Sequence, residues 1–374
     1  MFQIAIQSLL FDRRKLVAAL AGVAFAATLV VVQLGLYQGF LSISSQLISR
    51  VGGDLWVMAK GTEVIDNAET ISAGTRAVAA SQPCVEQVRG MILAWAFVRK
   101  SGTLVTSVNL IGYDSAPHDM VPWTLNEGLP GDLHRPMRVA VDATELRKLR
   151  LPDHPIGSSL LVNGKPSLVT ALSKGIRSFT LFPYVFADLG NARRIAGIAE
   201  GDVTFWIVTV KEPGCVALLK SLVQSRSDLQ IKTTGEFREM TESYWVGASG
   251  VGAVLTFSAS LGLIVGVVLV GQTLFSMTRD HAKELATWKA MGASSLELVQ
   301  FVGWQAAFLA VVGSALGMAA ALALQRGGAD VGLPIVYTPG VLLRAAAAIV
   351  AMCAFASFGS VRSVLKLDPF EVLL

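Results

Sequence analysis

LVAALAGVAFAATLVVVQLGLYQGFLSISSQLIS, residues 16–49, holds no Asp, Glu, Lys or Arg across 34 positions. A helix crosses the hydrocarbon of a bilayer with about 20 apolar residues. This stretch is therefore long enough to span and then to project beyond the lipid or tilt. Three further runs repeat the signal. Residues 243–278 carry no charge over 36 positions, 298–325 none over 28, and 345–361 none over 17. The last reaches back to Pro339 when Arg344 snorkels outward. Four transmembrane α-helices are expected, with the outer ends Ser42–Ser49 and Tyr244–Gly252 continuing as helical stalks.

Composition agrees with a membrane protein. Of 374 residues, 53% are apolar and 16% charged, and the mean hydropathy is +0.56. Soluble domains carry about 25% charged residues. A cytosolic enzyme and a disordered chain are both excluded. A net charge of +4 with no basic stripe excludes a nucleic-acid binder.

Basic residues in short flanks set the orientation. Arg13, Arg14, Lys15, Arg279, Lys283, Lys289, Arg362 and Lys366 lie on one side, against Arg326 on the other. Both termini are expected in the cytoplasm. Tyr37, Phe40, Tyr244, Trp245 and Tyr337 would mark the outer interface. The first apolar run is too long for a signal peptide and lacks a convincing cleavage site, so it is expected to be retained.

Residues 50–242 then form a large extracytoplasmic domain of mixed α/β character. Val139–Val141, Leu160–Val162, Leu168–Ala171 and Thr204–Val210 read as strands. Thr144–Leu149, Leu189–Ile198 and Val216–Ser225 read as helices. Asn163-Gly164 marks a tight hairpin. Gly128–Pro136 and Leu151–Gly157 read as loops. The remaining boundaries are an amphipathic helix over 1–15, spans over 16–49, 243–278, 298–325 and 339–361, a cytoplasmic segment over 279–297, an outer loop over 326–338 and a tail over 362–374.

Catalytic patterns are absent from the sequence: there is no GxxxxGK[ST], HExxH, GxSxG or CxxC. His118, His134, His154 and His281 are scattered, so no metal site is expected. Cys84 and Cys215 fall in the external domain, where an oxidising compartment permits one disulfide. Two separately buried thiols are the expected reading of this pair, and Cys353 lies inside the fourth span.

Three spans contain GxxxG, at Gly35/Gly39, Gly262/Gly266 and Gly313/Gly317. Glycines at this spacing clear a groove for a second backbone, within the bundle or in a dimer. Gln33, Gln272 and Gln305 are the polar exceptions in the spans and suit hydrogen bonds between helices. Phe2, Ile6, Leu9 and Leu10 share one sector of a helix, which suits an interfacial helix on the inner leaflet. Residues 278–297, TRDHAKELATWKAMGASSLE, read as a charged helix ended by Gly292, with Ser294 or Ser295 capping the next span. Leu285, Trp288 and Met291 form an apolar ridge on that helix. The ridge fits the lipid surface or a groove on a cytoplasmic partner.

Glu284-Leu285-Ala286 and Lys289-Ala290-Met291-Gly292-Ala293-Ser294 resemble the cytoplasmic segment of FtsX-like permeases. Leu367-Asp368-Pro369-Phe370-Glu371-Val372-Leu373 is similar to the ending of that family. Arg13–Leu16, Gly22–Ala26 and Gln33–Leu36 resemble DevC-type members, and Gly175–Pro183 with Val185-Phe186 resembles the family's periplasmic core. The resemblance implies a non-catalytic permease subunit of an ABC exporter of the MacB, LolC and DevC type in the bacterial inner membrane. It implies a homodimer that works by mechanotransmission, moving the periplasmic domain as a separate cytoplasmic ATPase dimer, holding ATP and Mg²⁺, opens and closes. A periplasmic adaptor, an outer-membrane channel and membrane lipids would be its other partners, and no cofactor is expected on this chain. The resemblance assigns ATPase coupling to Arg279, Lys283, Glu284, Leu285, Trp288, Lys289, Met291 and Gly292. An FtsX-like regulator and an ATP-independent receptor are the alternatives. Neither the substrate nor the residues that bind it can be read from the sequence.

Overall fold

A computed structural model describes residues 2–100, 103–114, 124–176, 182–224, 226–330 and 334–365. The Leu367–Leu373 ending, His118 and Lys366 lie outside the described residues. In chain order the elements are α1 (Phe2–Phe11), α2 (Arg13–Ser44), α3 (Gln46–Val51), β1 (Leu55–Ala59), α4 (Arg76–Ala80), β2 (Val85–Lys100), β3 (Thr103–Tyr113), β4 (Leu125–Glu127) and β5 (Arg138–Asp142). They continue as β6 (Ser159–Val162), β7 (Lys165–Ser173), β8 (Tyr184–Asp188), α5 (Leu189–Ala196), β9 (Phe205–Val210), α6 (Gly214–Gln224), β10 (Leu229–Thr233) and α7 (Thr234–Ser249). The chain ends with α8 (Val251–Asp280), α9 (Ala282–Ala290), α10 (Ser295–Asp330) and α11 (Pro339–Leu365). Two compact units result, one of Met1–Phe40 with Ser249–Leu374 and one of Leu41–Ala248.

In the first unit α2, α8, α10 and α11 are each long and apolar enough to span a membrane. The first two charge-free runs are not unbroken helices, however. Ser44 and Ser45 turn their hydroxyls back onto the Leu41 carbonyl, at 2.9 and 3.1 Å, where α2 gives way to α3. Gly250, at φ +66°, separates α7 from α8 in a conformation that costs a side-chain-bearing residue far more. The expected stalks therefore belong to the second unit as separate helices, α3 and the end of α7.

In that unit one ten-stranded sheet has the order β10-β1-β9-β2-β3-β8-β5-β7-β4. The far end of β2 also pairs with β6, and β6 pairs with β7. Strands β2, β3, β8, β5, β7 and β6 thus close into a ring. Asn163 and Gly164, at φ 50° and 75°, make the expected tight turn between β6 and β7.

The sheet is covered on both faces, and the alternation of β1 records it. Leu55, Val57 and Ala59 join a core with Ala79 of α4, Leu189, Ala192 and Ile195 of α5, and Leu219 of α6. Trp56 and Met58 join the opposite core, with Leu47 and Ile48 of α3 and Phe237 of α7. A strand buried on both faces shows no polar alternation, which hides β1 from the sequence pattern. Glu86, Arg89 and Gly90 do the same for the start of β2.

Two expectations are corrected. Thr144–Leu149 does not form an α-helix. Asp142 is fully buried and its carboxylate accepts from Thr144 N and Oγ1 at 2.9 and 2.6 Å, Ser173 Oγ at 2.9 Å and Ile176 N at 3.2 Å. That hub pulls Ala143–Glu145 into a single 3₁₀ turn. Cys84 and Cys215 are not separate thiols but are bonded, joining the start of β2 to α6 across 131 residues. On the chain-entropy account, closing a loop of that length stabilises the fold by up to about 5 kcal/mol.

Candidate coupling site

At the basic end of the bundle α9 lies across α1, the start of α10 and the end of α11. Its C-terminus is fixed by a complete 6→1, 5→2 closure: Ala293 N donates to Trp288 O at 3.0 Å and Gly292 N to Lys289 O at 3.1 Å, with Gly292 at φ +102°. The next helix begins one residue later. Ser294 N donates to Glu297 Oε2 at 2.8 Å and Glu297 N to Ser294 Oγ at 3.3 Å, a reciprocal capping box. Of the two candidate caps, Ser294 is the one used.

The apolar ridge of α9 points inward. Leu285 is 1% exposed and packs with Ala5 of α1, Leu298, Phe301 and Val302 of α10, and Val364 of α11. Trp288 meets Phe301 edge to face, with ring centroids 5.6 Å apart. The sequence pattern suggested that Leu285 and Trp288 face lipid or a partner; instead they anchor the helix on its own chain. The surface α9 presents is Lys283, Glu284, Thr287, Met291 and Gly292, followed by Leu296 on α10. Met291 is 73% exposed. Arg279 leans over the Phe275 ring at 6.0 Å, and Lys289 is half-buried.

The N-terminal helix is corrected in the same way. Ala5 and Leu9 are fully buried against the bundle, while Ile4, Leu10 and Phe11 stay exposed. Only part of its apolar sector is available to lipid. Between α1 and α9 lies a cavity of about 270 Å³, walled by Ile4, Phe11, Leu285, Trp288 and Phe301.

Charges tie the two corners together. Asp12 caps α2, accepting from Lys15 N at 3.3 Å, and Lys15 Nζ lies 3.4 Å from its other oxygen. The backbone bond from Lys15, with its ammonium, holds the Asp12 carboxyl below the usual carboxylate range. Lys15 also pairs with Asp280 at the end of α8, and His281 Nδ1 sits 2.9 Å from Glu284. Nothing in the sequence relates Lys15 to Asp280, because their meeting depends on how two spans pack. α9 is therefore in contact with α1, α8, α10 and α11.

The six GxxxG glycines are all in contact with their own chain. A Cβ on Gly266 would come within 2.7 Å of Ala26 on α2 and would also meet Met352 on α11, and one on Gly262 would lie 3.1 Å from Leu29. A Cβ on Gly317 would lie 2.7 Å from the Ala24 carbonyl oxygen, and one on Gly313 would meet Val23, both on α2. Gly35 and Gly39 seat not a helix but the segment before α11, through Tyr337 and Pro334, and Val336 N donates to Gly35 O at 3.1 Å. The space these glycines clear is filled within the chain, the close helix packing their spacing suggested.

In the second unit one carboxyl stands apart. Burial raises Asp66 to about 6, against a hydrogen bond from Trp245 that lowers it. Trp95, half exposed on β2, donates its indole N–H to the Asp66 carbonyl at 3.2 Å. Sequence reading had no signal for Asp66, since its environment comes from three distant segments.

The description "MacB-like periplasmic core domain" fits residues 16–225, more than half of the chain. The chain belongs to the FtsX/MacB type of ABC permease. An FtsX-like permease C-terminal region matches residues 256–369, which include α9. Among curated proteins, the macrolide export ATP-binding/permease protein MacB of Rhodospirillum rubrum is 26% identical over 265 residues, covering 65% of this chain and 39% of that protein. The MacB of Agrobacterium fabrum is 24% identical over 248 residues, covering 63% and 38%. The chain thus spans about two-fifths of the length of the curated relatives it matches. Among solved structures, the periplasmic region of MacB from Actinobacillus actinomycetemcomitans is 14% identical, with a TM-score of 0.39, covering 51% of this chain and 92% of that one. Fold and family agree on a multi-pass inner-membrane permease with a MacB-like periplasmic domain between its first and later spans.

Proposed function

We propose that this FtsX/MacB-type permease is the non-catalytic membrane subunit of an ABC exporter and takes its energy from an ATPase on another chain. The observation that carries this is α9: a short helix with a buried anchor, Leu285, and an outward face of Lys283, Glu284, Thr287 and Met291. In this reading the basic end of the bundle is cytoplasmic, and closure of the ATPase around ATP and Mg²⁺ pushes on α9. The anchored helices carry the movement to the periplasmic domain by mechanotransmission. A second copy, a periplasmic adaptor and an outer-membrane channel complete the assembly. No cofactor is assigned to this chain, and its substrate is taken from the periplasmic side.

Affinity purification in mild detergent tests the reading. A stoichiometric ATPase with a Walker motif should co-purify, and Lys283→Glu with Met291→Glu should release it while leaving the permease folded. Failure of any ATPase to co-purify, with a non-hydrolysable nucleotide and a cross-linker present, would remove the exporter reading.

A further inference from the structure

Two helices of the bundle face each other without closing. Ile4, Ser8 and Phe11 of α1 stand at i, i+4 and i+7, and His281, Leu285 and Trp288 of α9 repeat that spacing across from them. Stripes at this spacing ordinarily interlock, and protein interiors leave few voids larger than a water molecule. Here about 270 Å³ stays unfilled. A second cavity, of about 360 Å³, adjoins the first, with Phe11, His281 and Glu284 in the walls of both.

The two compartments differ in chemistry. The first is walled largely by Ile4, Phe11, Leu285, Trp288 and Phe301. The second is lined by Asp12, Lys15, Asp280 and Glu284. Lys15 is committed to Asp12 and Asp280, and three carboxylates against one ammonium leave the compartment net negative. Ser8, in the apolar wall, has a buried hydroxyl with no hydrogen-bond partner among the described residues, and buried polar groups seldom stay so. An apolar chamber adjoining an anionic one fits an amphiphile with a cationic end.

The position says where such an amphiphile comes from. The charge-free run of α2 starts at Leu16, directly after Lys15, and that of α8 stops at Thr278, two residues before Asp280. The anionic compartment thus lies where both spans leave the hydrocarbon. Phe11, shared by both cavities, is 85% exposed, with Leu10 beside it at 50%, an apolar lip at headgroup depth. We infer that the space between α1 and α9 holds a membrane lipid with a primary-amine headgroup, one acyl chain against Trp288 and Phe301 and the ammonium among Asp12, Asp280 and Glu284. A primary ammonium brings three N–H donors, and bonds from it to carboxylates are charge-assisted. Arg13 and Arg14, exposed at the start of α2, complement the lipid phosphate. The occupant bears on Leu285 and Trp288, which anchor α9, so the lipid sets how firmly that helix is seated. This goes beyond the exporter reading and holds whether or not an ATPase engages α9.

The test uses the full-length chain in mild detergent with a photoactivatable phosphatidylethanolamine, its diazirine on one acyl chain. Labelled peptides should include those holding Phe11 and Trp288. Ser8→Phe, which fills the chamber, should abolish that labelling, while labels on the outer faces of the spans persist and report an intact fold. Phosphatidylglycerol with the same diazirine lacks the amine and should label the two peptides less. In a native mass spectrometry titration Glu284→Gln should weaken phosphatidylethanolamine binding about three- to tenfold, the range of a single hydrogen bond. Labelling confined to the outer faces, or equal labelling of the two peptides by both lipids, would overturn the site. Labelling by a photoactivatable alkylamine but not by the lipid would assign the cavity to a free amine and overturn it too.

Discussion

The four-span bundle and the Leu41–Ala248 domain are held together by opposite means. In the bundle, backbones approach through glycine: Gly266 admits Ala26 and Met352, and Gly317 admits the carbonyl of Ala24 so closely that Thr28 Oγ1 donates to the Gly317 carbonyl at 3.2 Å. In the domain, buried polar hubs and a covalent bond fix the chain. Asp142 gathers four donors from three residues. Asn191 Nδ2 donates to the Leu133 and Arg135 carbonyls at 2.9 and 2.8 Å. Where lipid is the solvent, apolar contact alone favours no single arrangement, and close packing must select it. Where water is the solvent, apolar burial drives collapse, and polar hubs then select one packing among many.

Four outcomes would break or sharpen this contrast. The largest belongs to the domain. Cys84→Ala with Cys215→Ala should destabilise it by about 2–5 kcal/mol and leave the bundle's unfolding unchanged, read as one shifted transition by calorimetry in detergent. A uniform shift of both units would deny that they are held separately. Next, Leu285→Ala should cost about 2–4 kcal/mol in the bundle, since it empties a packed site among α1, α10 and α11. A result near zero would mean that α9 is not anchored.

Asp66 gives a pH dependence confined to the domain. Its folded value, about 6, lies above the ordinary 3.8, so the folded state binds the proton more tightly than the unfolded state. Stability from this group is full below about pH 4 and is lost as pH rises through about 6, by roughly 3 kcal/mol. Asp66→Asn should flatten that slope, measured as unfolding midpoint against pH. An unchanged slope would assign it to another group. The smallest expected stability effect is at the surface of α9. Met291→Glu should alter stability by less than about 0.5 kcal/mol while weakening ATPase association, and a large stability loss would mean that Met291 packs inside.

The spans were legible because charge-free length is a one-dimensional signal that needs no partner. The hairpin at Asn163-Gly164 was legible because a left-handed pair of residues is a local demand. Strands β1 and β8 were missed because their alternation is erased when both faces are covered, and β2 because charges interrupt it; β10, which alternates Leu229 and Ile231 with Gln230 and Lys232, carried a readable signal over only five residues. The helix α9 was found by pattern, but of its apolar ridge Leu285 and Trp288 turn inward while Met291 stays exposed. Leu285 and Trp288 form an equally good apolar ridge whether they meet a partner or α1.

By itself the sequence determined where the chain meets lipid, which end of the bundle is basic and where α9 stops. Each of these depends on residues adjacent in the chain. Tertiary structure alone decided that Cys84 bonds Cys215, that Lys15 meets Asp280, that all six glycines are filled from within, and that a cavity stays open between α1 and α9. Those outcomes depend on which distant surfaces come together, and a contact between distant segments leaves no periodic mark in either one.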